Sequence, residues 1–78
     1  MKVCHMVLIG VFYDLIDEGK KTIEYRDTTE YWKKRLADAT HICFHKGYTN
    51  ITMTFEIKRI VVSTRFEIHL GERLVPCP

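Results

Sequence analysis

Two segments between Ile51 and Leu70 alternate apolar and polar residues, and the phase of the alternation changes once inside the first of them. Ile51, Met53, Phe55 and Ile57 alternate with Thr52, Thr54, Glu56 and Lys58. After Lys58-Arg59 the apolar positions move to Ile60 and Val62. Period two marks a half-buried strand. A slip of one residue flips a strand's faces, so the change of phase predicts a bulge there. A bulge bends a sheet, and a small barrel needs bent strands. In the second segment Phe66, Ile68 and Leu70 alternate with Arg65, Glu67 and His69, and Gly71 is expected to end that strand.

The first half of the chain supplies shorter elements. Val3 to Ile9 is mostly apolar on both faces, as in a central strand, with His5 interrupting it. Phe12, Leu15 and Ile16 fall at i, i+3 and i+4, opposite Asp14, Asp17 and Glu18, which predicts a short amphipathic helix. Gly19 is its expected C-terminal stop. Thr22 to Arg26 alternates: Ile23 and Tyr25 face one way, Thr22, Glu24 and Arg26 the other. Asp27 followed by Glu30 matches a capping box, so a second helix is expected from about Thr28, with Trp32 and Leu36 as its core stripe. Thr40 to Lys46 reads as a strand with Ile42 and Phe44 inward, and Lys46 to Asn50 as a hairpin loop. The expected order is β-α-β-α-β-β-β. The fold class is α+β, a small, partly closed, five-stranded β-barrel with two short helices.

Seventy-eight residues make one domain. A chain of this size buries only about 60–65% of its unfolded surface, so its core is marginal. Residues 1–74 are read as that domain and residues 75–78, with Pro-Cys-Pro at the end, as a tail. A net charge of +2 does not by itself announce nucleic-acid binding. Cys4, Cys43 and Cys77 make an odd count without a framework spacing, and read as reduced thiols of a cytoplasmic protein. No apolar stretch approaches the roughly 18 residues of a membrane helix, so no membrane partner is expected.

The charged residues beside Gly19 carry most of the functional information. Gly19-Lys20-Lys21-Thr22 is not a phosphate-binding P-loop, because Asp14 and Lys21 stand where that motif needs glycine and a hydroxyl residue. Lys21, Glu24 and Arg26 are the candidate set. A lysine beside a carboxylate suits a nucleophile or base, and the planar fork of arginine suits phosphate or carboxylate. The plainer alternative is a surface ion pair contributing about 0–1 kcal/mol. Lys46, Tyr48 and Asn50 share a loop in which a cation, a ring and an amide would suit a nucleotide, or would simply make a turn. Tyr31 is offset from the core stripe and is placed beside a cleft next to Arg26. His41, Cys43 and His45 share one strand face, but i and i+4 on a strand lie roughly 13 Å apart, so one ion cannot take all three. A pair of them would need help from His5 or Cys4. No metal and no cofactor are expected.

Gly19-x-Lys21-x-x-Glu24-x-Arg26, preceded by the helix of Phe12, Leu15 and Ile16, resembles the signature of the ASCH domain family, which is related to the PUA RNA-binding fold. The resemblance extends over the chain to Phe66–Gly71 and is nearest to short bacterial or phage-type members. It implies a PUA-like barrel with a cleft beside the first helix, and RNA or a nucleotide as the partner. The expected ligand-binding residues are Lys21, Glu24, Arg26, Tyr31, Lys46 and Tyr48, with Gly19 as a structural motif residue. Some members hydrolyse acylated cytidine and some are ribonucleases, so a small hydrolase with Lys21 and Glu24 as catalytic pair is the alternative. The amidohydrolase branch pairs its lysine with a threonine where this chain has Glu24. A third reading is a non-catalytic protein-interaction module using the Glu67/His69 face.

Overall fold

The computed structural model describes residues 1–74, and the expected tail lies outside the described residues. The elements are β1 (Val3–Leu8), α1 (Gly10–Asp17), β2 (Ile23–Asp27), α2 (Glu30–Leu36), β3 (His41–Lys46), β4 (Thr52–Val62) and β5 (Arg65–Leu74). The strands form one mixed sheet in the order β1-β3-β4-β5-β2, curled into half a barrel. Only β1 and β3 are parallel. A parallel pair needs a long crossover, and here α1, β2 and α2 together supply it. The chain thus leaves one edge of the sheet, adds β2 to the other edge, and returns. No helix is long and apolar enough to cross a membrane.

The concave face holds the core. Met6, Ile42, Phe44, Met53 and Ile68 are each essentially inaccessible, and Tyr13, Ile16 and Leu36 of the helices close over them. In α1 the buried pair is Tyr13 and Ile16, while Leu15 is half-buried and Phe12 exposed. The expected stripe is therefore rotated by one residue. Gly19 ends the turn after α1 with φ +77°, a conformation that glycine adopts without steric cost. The N-cap of α2 is Thr29, whose hydroxyl accepts from the Trp32 N–H at 3.3 Å. Asp27 remains in β2 instead of capping the helix.

The irregularity in β4 lies slightly earlier than the phase change suggested. From the pair Phe55–Arg73 to the pair Ile57–Leu70, two steps on β4 answer three on β5. From there to Arg59–His69, two answer one, so the offsets cancel. Gly71 lies at this irregularity inside β5 and does not end it. A Cβ there would stand 3.4 Å from the carbonyl oxygen of Glu56, so the missing side chain lets the two backbones approach.

Candidate functional site

The two edge strands face one another across the open side of the half barrel. An unpaired strand edge leaves backbone carbonyls in need of donors. On β1 these are supplied by two guanidiniums. Arg26 of β2 donates from Nη2 to the Val7 carbonyl at 3.4 Å and from Nε to Met6 Sδ at 3.3 Å. Arg35 of α2 donates to the His5 carbonyl at 2.7 Å. The seam between β1 and β2 is thus bridged by side chains instead of a ladder, and clefts lie on both sides of Arg26.

The first cleft has a volume of about 330 Å³ and is lined by Lys21, Glu24, Arg26 and Arg65, with Phe12 and Tyr25 among its apolar walls. Glu24 is buried, at 4% exposure. Its position follows from strand register: Glu24 pairs with Ile68 and Arg26 with Phe66, both core residues of β5. Partners across a ladder share a face, so Glu24 and Arg26 turn inward and Tyr25 outward. Glu24 and Arg26 are therefore not a sheet-surface pair. A buried carboxylate is costly unless it is paired. Both oxygens of Glu24 are taken: Lys21 Nζ lies 2.8 Å from Oε1 and Arg26 Nη2 lies 3.0 Å from Oε2. Lys21 also sits over the Phe12 ring at 4.7 Å, and Arg65 over the Tyr25 ring at 4.8 Å. Three cations and one carboxylate line the cleft, leaving it positive.

The second cleft, about 400 Å³, is lined by Arg26, Tyr31, Trp32, Arg35, His5 and His45 among others. Tyr31 and Trp32 meet edge to face at 5.0 Å, and Arg35 lies 5.4 and 5.7 Å from their rings. Arg26 also lies 5.2 Å from the Trp32 ring. Burial pushes the Cys4 thiol up, opposed by the nearby Arg35 guanidinium.

The structure therefore brings Lys21, Glu24 and Arg26 to one open cavity and sets Tyr31 in the adjoining one. Lys46 and Tyr48 line neither. The Lys46 ammonium is 3.0 Å from Asp14 of α1, and the Tyr48 side chain is fully solvated on its loop. Phe12, Tyr25 and Arg65 join the site without having been singled out from the sequence. Phe12 and Tyr25 read as core residues by periodicity, and Arg65 had no distinguishing neighbour. The chain matches no protein-family model, no curated protein and no solved structure.

Proposed function

We propose that the chain is an RNA- or nucleotide-binding domain of the ASCH type, a PUA-like half barrel whose ligand enters the cleft beside α1. The observation that supports this most is the convergence of Lys21, Glu24 and Arg26 on one positive cavity walled by two rings. Phosphate is drawn to the excess cations, and a base stacks on the exposed Phe12 or Tyr25 ring. Arg26 is largely committed to the fold, so Lys21 and Arg65 carry the phosphate contacts. Glu24 holds Lys21 and Arg26 in place, one on each carboxylate oxygen.

The test is fluorescence anisotropy with a short labelled single-stranded RNA and a panel of free nucleotides. Binding weakens in Arg65→Ala and also in Phe12→Ala, whose folds are preserved because both side chains are exposed. Unchanged affinity in both variants would remove the cleft from consideration. The hydrolase reading has one specific contact behind it: Lys21 and Glu24 at 2.8 Å are within proton-transfer reach. Turnover of a modified nucleoside or RNA that disappears in Lys21→Ala supports it, and turnover that survives excludes this pair.

A further inference from the structure

His5, Cys43 and His45 lie outside the Lys21 cleft and play no part in the proposed binding. His5 and Cys43 are direct partners across the parallel β1–β3 ladder, and His45 follows Cys43 by two residues on the same face. Adjacent strands are about 4.8 Å apart and alternate residues about 6.6 Å apart, so three side chains so placed can meet at one point. They do meet. His5 Nδ1 is 3.0 Å from His45 Nε2, Cys43 Sγ is 3.9 Å from the same Nε2, and the three donor atoms all lie within 4.8 Å of one another. His41, also on this face, is set apart: it precedes Cys43 by two residues, on the side away from His45, with Nδ1 2.7 Å from the Thr40 hydroxyl oxygen.

We propose that His5, Cys43 and His45 bind a zinc ion, with its fourth coordination position open toward the second cleft. Tetrahedral zinc with bonds of about 2.05 Å to nitrogen and 2.3 Å to sulfur requires N–N separations of about 3.3 Å and N–S separations of about 3.6 Å. The observed 3.0 and 3.9 Å lie a few tenths of an ångström from those values and the third separation, between His5 and Cys43, is within 4.8 Å, so closing on an ion takes a swing of the exposed His5 ring toward Cys43 and a small turn of the Cys43 or His45 side chain. A 3.0 Å contact between ring nitrogens also requires one of them to present a lone pair, the form that binds metal. Two imidazoles and a thiolate are ligands that zinc prefers, and three protein ligands leave one position free. His5 and His45 themselves line the second cleft with Arg26 and Arg35. The guanidiniums oppose a bare cation there. A Cys43 thiolate offsets one charge, and the remainder favours an anionic oxygen at the open position.

The site is tested on the full chain, stripped of metal and titrated with zinc by calorimetry and with cobalt(II) by absorption. One equivalent of zinc binds, and cobalt gives tetrahedral visible bands with an intense near-ultraviolet thiolate band. Cys43→Ser abolishes that band. His5→Ala folds, as its side chain is exposed, and weakens zinc by more than about tenfold, since even a residue behind a ligand costs that much. His41→Ala leaves zinc affinity unchanged. The proposal is overturned by the absence of saturable binding, by unchanged zinc affinity in His5→Ala, or by a thiolate band that persists in Cys43→Ser.

Discussion

The clefts on either side of Arg26 are built on the same two edge strands but are neutralised in opposite ways. In the first, a buried carboxylate takes a cation on each oxygen. In the second, the guanidinium that this cleft does not share, Arg35, meets no carboxylate among the described contacts but the His5 carbonyl, the Cys4 thiol and the Tyr31 and Trp32 rings, and its Nε is buried without a hydrogen-bond partner among the described residues. A buried charge cluster that closes on itself resists truncation strongly, because removing one member strands another. One that closes on carbonyls and aromatic faces loses only those contacts. Arg26 belongs to both clusters and Arg35 to the second alone, so the pair separates structural cost from availability to a ligand.

Arg26→Ala should give the largest effect. It leaves Glu24 buried with Lys21 as its remaining partner and costs about 3 kcal/mol of stability. For a domain of this size that lowers Tm by about 12–24 °C in a thermal melt. Replacing Lys21, Glu24 and Arg26 together by apolar residues should cost much less than Arg26→Ala alone, since buried ion pairs are often replaceable as a unit. A triple variant less stable than Arg26→Ala would contradict the closed-cluster account. Phe12→Ala comes next: it should lower RNA affinity by about 1–3 kcal/mol, the contribution of one stacked base, with little change in Tm. Arg35→Ala should cost about 1.5 kcal/mol, the net loss of a hydrogen bond from a charged donor that leaves no carboxylate stranded. If denaturant unfolding gives Arg35→Ala and Arg26→Ala the same cost, the two clefts do not differ as described. Arg65→Ala should reduce the salt dependence of RNA binding by a slope of about 0.7, one phosphate contact, measured as affinity against salt concentration. Tyr48→Ala should change stability by less than about 0.5 kcal/mol and leave RNA affinity unchanged, because its side chain touches neither cleft.

Much of the architecture is legible in local patterns. The β3 faces, the β3–β4 hairpin, the irregularity in β4 and the glycine stop after α1 all follow from residues within a few positions of one another. So does the juxtaposition of Glu24 and Arg26, because period two places them side by side in any strand. The direction in which they face is another matter. Ile23 and Tyr25 are the more apolar pair, yet the carboxylate is the residue buried in β2. A five-residue edge strand has little say in its own orientation; pairing with Phe66 and Ile68 of β5 decides it. Likewise, Phe12 was legible as an apolar helix residue but not as the wall of a cleft, since only the approach of β1 and β2 creates that cleft.

The histidines draw the boundary most clearly. Strand rise is a local constant, so the order of residues is enough to put His41, Cys43 and His45 on one face and to show that one ion cannot span them. It takes the assembled sheet to lay His5, nearly forty residues earlier, against Cys43 and to point one of its ring nitrogens at His45. The physical reason is the same for both clefts. Periodicity fixes which side chains are neighbours along a strand, whereas the neighbours across a sheet depend on strand order and register. Those are set by the burial of Met6, Ile42, Phe44 and Ile68 together, a property of the whole core and of no single segment.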